Sequence, residues 1–370
     1  MHLQNIMRLN VSSKIIFSAA GDIVLRNRLY VDGNPVSAGY EKTLHYLRQA
    51  NLVWASCEVQ FSTKGYRTDA PIAYLVDPNV AADLGKAGFS LTVATNHTRD
   101  FGPEAFMDTI SHLNQAGIAT VGGGKDLSAA QAPHVVQIGE TKLGVIAVSC
   151  LLPPDYAATE SRPGIAPIRI TQWPEINPVL LATEPGAPMK MHSRALAEDV
   201  AVLIAQIKSL RSQVDVLVVS VHWGFGRGNP KAEYQQPLGH AIIDAGADIV
   251  LGNHPHSPAG IETYKGKPIL YSLGNHIAQQ DWDNATPVQK DIFSQIDPWS
   301  MVCSIVLDNS EIREIEFRAT HCDRDGMPVL IDDADVAAPV FADFKRLSAE
   351  MHTETVVDGV RAVCRFNPAS

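Results

Sequence analysis

Short apolar runs recur at residues 15–20, 52–55, 89–94, 143–148, 214–221 and 248–251. Each is rich in β-branched or aromatic side chains, nearly continuous, and bounded by turn-forming residues. A strand covered on one face alternates apolar and polar positions. A strand covered on both faces reads as an unbroken run, so these segments predict a largely parallel sheet buried on both sides. Helix-period stretches lie between several of them: 41–50, 79–87 directly after Pro78, 103–115 with Pro103 in the first turn, and 194–210 ahead of the strongest strand. Three segments depart from this alternation and read as β-hairpins: 135–148, 261–272 around Lys265-Gly266-Lys267, and 301–317 around 308–310. An α/β core with antiparallel additions is a mixed sheet or two stacked sheets. Residues 151–193 are rich in Pro and carry little periodicity, which reads as a long excursion or lid. Residues 277–300 form a second, polar excursion. With no internal repeat and no linker composition, the expectation is a single domain over residues 1–370 decorated by these two excursions.

In open α/β sheets, ligands collect beyond the carboxyl ends of the strands. The unusual polar residues of this chain fall at those places. The first run leads into Gly21-Asp22, the second into Ser56-Cys57-Glu58, and the third into Thr95-Asn96-His97. The later two lead into His222-Trp223-Gly224 and Gly252-Asn253-His254-Pro255-His256. Taken singly, a Gly-Asp is usually a turn, Glu58 a solvated carboxylate, and Asn96-His97 a helix cap. A histidine ending a buried strand is costly to leave unpaired, and two imidazoles stiffened by an intervening Pro can address two neighbouring ions. Five strand ends delivering such residues to one edge predict a metal site. Mixed nitrogen and oxygen donors without thiolate suit Mn, Fe, Zn or Ni. Their number exceeds what one tetrahedral ion needs, which points to two metals ~3.5–4 Å apart sharing a carboxylate.

Charge and composition narrow the partners. With 30 Lys and Arg against 40 Asp and Glu, the net charge is −10, so a broad basic footprint for nucleic acid is not expected. Metal ions can nevertheless give an acidic chain a site for phosphate or carboxylate. No run approaches the 18 or so apolar residues a membrane span needs, and the first residues lack the pattern of a signal peptide. The five cysteines form no CxxC pair. A cytoplasmic protein with reduced thiols and no membrane partner is the expectation.

The ordered blocks Gly21-Asp22, Glu58, Asn96-His97 with Asp100 and Gly102, His222-Trp223-Gly224, Gly252-Asn253-His254-Pro255-His256 and Tyr271-Ser272-Leu273-Gly274-Asn275 resemble the CapA family of capsule and poly-γ-glutamate synthesis proteins. That family is placed among the calcineurin-like metallophosphatases. The resemblance covers roughly residues 14–320. It implies a four-layer α/β/β/α sandwich of two mixed sheets. It also implies Asp22 and His256 at a first metal, Asn96, His222 and His254 at a second, Glu58 in the bridging position, and His97 as the catalytic histidine. One departure stands out: Asp22-Ile23-Val24 has Val where the superfamily's D-x-H signature has His, which leaves the first-metal site poor in ligands. The membrane anchor of many capsule members is not visible, Phe225 and Gly226 follow where Glu is often found, and His276 stands where Phe is more usual.

Other motifs carry less. Val121-Gly122-Gly123-Gly124-Lys125 lacks Walker spacing and reads as a plain turn more readily than as a phosphate cradle. Arg99 and Arg227 flank the proposed cluster and suit an anionic substrate, the plain alternative being surface positions. There is no Gly-x-Ser-x-Gly elbow for a serine hydrolase and no Gly-x-Gly-x-x-Gly for a dinucleotide. The leading expectation is a soluble, metal-dependent hydrolase using a metal-activated hydroxide. Its substrate would be a small or short polymeric anion, through a phosphoester or a γ-glutamyl-type amide. The alternative is a non-catalytic accessory protein of capsule or poly-γ-glutamate synthesis.

Overall fold

The computed structural model describes residues 14–184, 186–225 and 231–366. Its centre is a pair of stacked mixed sheets. The larger has 10 strands; its path runs Val356–Asp358, Arg361–Arg365, Glu311–Cys322, Trp299–Asp308, Lys14–Val24, Leu52–Cys57, Leu91–Val93 and Ala119–Val121. Asn275–Ala278 also pairs with the first strand. The smaller has six strands in the order His134–Ile138, Thr141–Ser149, Val216–His222, Ile249–Asn253, Lys267–Leu270 and Ile261–Tyr264. Parallel pairing dominates where the polar strand ends lie, and antiparallel hairpins extend both sheets.

The apolar runs are continuous because alternate residues serve different layers. Val216 and Val218 join Phe17, Trp54, Ile249 and Leu251 in the core between the sheets. Leu217, Val219 and Val221 face the other way, onto Leu203, Ile207, Leu238 and Ile242 of helices Ala197–Arg211 and Gln235–Asp244. On the far side, Val53 and Ala55 meet Tyr40, Leu44 and Leu84 from helices Ala38–Leu47 and Asn79–Ala87. The result is four layers, α/β/β/α. Full burial of each such aliphatic side chain stabilises by ~1.5–3 kcal/mol, so the runs hold the layers together while leaving their polar ends free for other work.

Several boundaries differ from the sequence reading. The first helix is Ala38–Leu47 rather than 41–50, because Ser37 caps it by accepting from the Tyr40 N–H, which places Tyr40, Leu44 and Leu47 on one buried face. The helix expected from 194 begins at Ala197. Arg194 and Ala195 instead end a strand, Met191–Ala195, that pairs with Ile170–Pro174. The stretch 151–193 therefore holds regular structure, including helix Pro178–Thr183. The stretch 277–300 holds helix Pro287–Phe293, started by a Thr286/Gln289 capping box. At its two ends, 277–278 and 299–300 belong to sheet strands. All five cysteines are buried and unpaired. No helix among the described residues is long and apolar enough to cross a membrane.

Candidate metal centre

Local backbone chemistry sets each donor. Gly21 runs so close to the chain opposite that a Cβ there would stand 1.8 Å from the Gly274 carbonyl oxygen. Glycine lets the strand approach, the Asp22 N–H donates to that same oxygen at 2.9 Å, and the register slips between Asp22 and Ile23. Gly252 likewise leaves room for the Trp223 indole, whose Nε1–H donates to the Tyr271 carbonyl at 3.0 Å. Thr95 caps a single 3₁₀ turn, Asn96–Arg99, directly after strand Leu91–Val93 and so throws Asn96 and His97 past the sheet edge. His254 and His256 both adopt positive φ, 94° and 55°. Non-glycine residues are held there at a cost of ~1–3 kcal/mol each, and such strain collects where side chains must be aimed. The His254 N–H donates to Asp22 Oδ2 at 3.0 Å, which ties this strained turn to the first strand.

These elements bring five predicted donors together. Ligand atoms of Glu58, His222 and His254 lie within 4.8 Å of one another, and so do those of Asp22, Glu58 and His256. Glu58 is common to both triplets. His222 Nε2 lies 3.3 Å from Glu58 Oε1 and 2.7 Å from Asn96 Oδ1, which adds the sixth predicted donor to the His222 side. His256 lies 3.5 Å from both Asp22 and Glu58.

A surrounding shell fixes the imidazoles. Asn253 turns its amide N–H to Ser220 Oγ (3.3 Å), so its Oδ1 accepts from Ser56 Oγ (3.3 Å) and from His222 Nδ1–H. With the proton on Nδ1, the His222 Nε2 lone pair faces Glu58 and Asn96. Asn275 does the same for His256: its Nδ2 donates to the His256 carbonyl at 3.4 Å and its Oδ1 accepts from Nδ1 at 2.9 Å, leaving Nε2 toward Glu58.

Burial dominates the electrostatics. It pushes the Asp22 carboxyl up to about 7, and it raises Glu58 well above the carboxylate range with help from the negative charges of Asp22 and Asp100. It drives His222 down to about 3, His256 to about 4, and His254 well below the usual imidazole range. Asp22 Oδ1, Glu58 Oε1 and His254 Nδ1 are buried with no hydrogen-bond partner. Carboxyls that lack positive charge and neutral imidazoles that lack an acid are together what a divalent cation satisfies, so the residues present fit a metal.

His97 stands beside the cluster, one-fifth exposed, on the wall of a cavity of about 520 Å3 that Glu58, His254 and His256 also line. Its Nδ1 meets Asp100 Oδ2 at 2.7 Å. Asp100 Oδ1 accepts from the Tyr156 hydroxyl at 2.9 Å, and that hydroxyl meets Thr68 Oγ1 at 2.8 Å. Arg99 points elsewhere: it is buried, its Nε donates to the Pro163 carbonyl at 3.2 Å, its guanidinium lies over the Tyr156 ring, and it is not among the cavity-lining residues. Arg227 lies outside the described residues. Cys57 is buried beside Glu58 with its thiol pushed up to about 12 by desolvation. The run 121–125 is not a free loop; Gly123-Gly124 pairs with Gly164-Ile165.

The orienting residues Asn253, Asn275 and Asp100 carried no assigned role in the sequence reading. Asp100 had a signal, since residues three apart on a helical turn share a face. Tyr156, which comes from the 151–193 excursion, had none.

A model of the bacterial capsule synthesis protein family PGA_cap matches residues 16–280, a stretch that contains every donor above. The chain belongs to this family. Among PGA_cap-related proteins, it is 35% identical over 210 residues to a probable polyglutamine synthesis accessory protein of Mycobacterium tuberculosis, covering 55% of this chain and 49% of that protein. It is 28% identical over 260 residues to the PGA biosynthesis protein CapA of Bacillus subtilis, covering 70% of this chain and 56% of that one. The chain thus spans about half the length of these curated relatives. A crystal structure of a hypothetical protein from Thermus thermophilus superposes with TM-score 0.49 at 14% identity, over 82% of this chain and 98% of that one.

Proposed function

We propose that the cluster is a two-metal hydrolytic centre acting on an anionic substrate, through a phosphoester or a γ-glutamyl-type amide. The observation that carries this reading is the pair of donor triplets sharing Glu58, each with two buried residues and one half-buried histidine, and with buried oxygen and nitrogen atoms left without protein partners. Divalent cations there (Mn, Fe, Zn or Ni for such donors) would polarise a phosphoryl or acyl oxygen and ease the deprotonation of water. Asp22 and His256 would hold one ion, Asn96, His222 and His254 the other, and Glu58 is placed to serve both. Val24 lines the cavity where the superfamily signature has His, so the Asp22 side offers one imidazole against two and would bind an ion more weakly. Asp100 fixes the His97 ring through Nδ1, leaving Nε2 to carry a proton to the departing oxygen or nitrogen.

A second reading draws on the word "accessory" in the name of the M. tuberculosis relative: a docking component of polymer synthesis without chemistry of its own. Metal analysis of the purified full chain, after loading separately with Mn, Zn, Fe or Ni, separates the two when combined with a screen of phosphoesters and γ-glutamyl amides. Two ions per chain with turnover support the hydrolase. A chain that retains no ion after loading sinks it and leaves the docking role.

A further inference from the structure

The cavity beside the donor cluster has a lining of two kinds. Glu58, His97, His254 and His256 supply the polar part. The apolar part comes from Ile72 and Tyr74 in the segment before strand Leu75–Val76, Ile292 and Ile296 in the 277–300 excursion, and Leu151 and Phe225 in the segments after two strands of the smaller sheet. Apart from Phe225, which is 44% exposed, these side chains are half-buried.

Residues 71–74 and the 277–300 excursion build most of this apolar wall, and they are tied to each other. The Tyr74 hydroxyl donates to Gln280 Oε1, and Gln289 Nε2 donates to the Pro71 carbonyl at 3.1 Å. Phe293 anchors the short helix by burying itself edge-on against Trp282, with ring centroids 5.4 Å apart. The Tyr74 ring also stands edge-on to the His97 ring at 6.2 Å. The wall is therefore set in place next to the donors before any ligand arrives, which lowers the ordering cost of binding.

We infer that this site selects substrates whose metal-seeking anionic group carries a compact apolar or aromatic substituent, packed on the wall formed by Ile72, Tyr74, Ile292 and Ile296 with Phe225 at the rim. The inference rests on the hydrolase reading and names its substrate class. An extended polyanion fits this wall badly. A γ-glutamyl polymer presents a carboxylate at every residue, and pressing one against isoleucine strips its water without supplying a partner. An aryl or branched alkyl group instead covers apolar surface that otherwise faces water.

The test uses two phosphonates, whose C–P bond a hydrolase cannot cleave, and the amide γ-glutamylglutamate, whose integrity is checked after titration, on the metal-loaded full chain, read by calorimetry. Phenylphosphonate, methylphosphonate and γ-glutamylglutamate are titrated in turn. Phenylphosphonate is expected to bind on the order of tenfold more tightly than methylphosphonate, which corresponds to about 1.4 kcal/mol, and γ-glutamylglutamate most weakly. Ile292→Asp, on a half-buried helix position, should compress the phenyl-to-methyl ratio to below about threefold, with melting confirming that the variant folds; Phe225→Ser provides a second variant at the rim. Equal affinity for the two phosphonates, a ratio unchanged in both variants, or tightest binding of γ-glutamylglutamate overturns the inference while leaving the metal centre standing. Metal-loaded protein that binds no phosphonate overturns this inference, and protein that retains no metal overturns the hydrolase reading and this inference together.

Discussion

His222 and His276 are both fully buried, and burial drives both down to about 3. Their surroundings differ in kind. His222 ends a strand of the smaller sheet, with one nitrogen held by Asn253 and the other turned toward Glu58 and Asn96. His276 sits in the Asn275–Ala278 strand, between the Tyr40 ring at 6.2 Å and the Phe89 ring at 5.5 Å, and neither nitrogen has a partner. A perturbed titration therefore marks burial in both places and a candidate ligand set in only one. What separates them is a neighbour that fixes the tautomer and a lone pair that faces the Glu58 carboxylate and the Asn96 amide oxygen. His276 occupies a position where Phe would serve, and it bears the cost of an unsatisfied ring, ~1–3 kcal/mol per stranded polar group.

The sharpest way to break this contrast is His222→Ala. It should lose the ion of its triplet and turnover together, with partial rescue by excess metal. Full metal content in the variant, measured on the same preparation, would remove the distinction between the two histidines. Next in size is His97→Ala, which should keep its metal and lose ~10²–10⁴-fold in turnover, as expected for a proton-transferring group. If His97 only capped the following turn, the variant would instead lose about 1 kcal/mol of stability and keep its rate. Asn253→Ala tests the shell rather than the ligand. Freed of its anchor, His222 should bind metal ~10–100-fold more weakly, read as a shift in a metal titration.

The smallest effect belongs to His276→Phe. Metal content and turnover should match the parent chain, and stability should be equal or about 1 kcal/mol higher, because two stranded nitrogens disappear. The pH dependence follows from the direction of the shift. The native ring stays neutral down to about 3, whereas the unfolded ring takes up a proton near 6.5, so between those values the unfolded state binds more protons. Stability contributed by the neutral ring is thus present above 6.5 and lost as the pH falls toward 3. Melting curves of the parent and of His276→Phe should diverge below pH 6.5, the variant melting higher. Parallel curves across that range would mean that His276 finds a partner in solution.

The donors were legible in the chain because strand-end chemistry is local. A buried run such as 214–221 announces its own end, and His222, His254 and His256 stand at or just beyond such ends in the order that the resemblance requires. The layered fold was legible for a similar reason, since uninterrupted apolar runs demand cover on both faces. The helix limits at Ala38 and Ala197 were less so: a cap and a hairpin partner set them, and the partner strand Ile170–Pro174 lies some 20 residues away along the chain.

What neighbouring residues in the sequence cannot encode is which distant side chains meet. Glu58 becomes common to both triplets only when the two sheets stack with their polar ends at one edge. Asn253 acts on His222 across adjacent strands, and Asn275 acts on His256 across a turn. Arg99, close to His97 in sequence, turns away because Tyr156 and the Pro163 carbonyl arrive from the 151–193 excursion to receive it. That same excursion supplies the Tyr156 hydroxyl to Asp100, and a stretch that reads as polar, 277–300, supplies Ile292 and Ile296 to the apolar wall of the cavity. Strand ends and burial follow from the order of residue types along the chain. Lone-pair direction, shared carboxylates and the lining of a cavity depend on contacts between residues far apart in sequence, and only the packed structure selects among them.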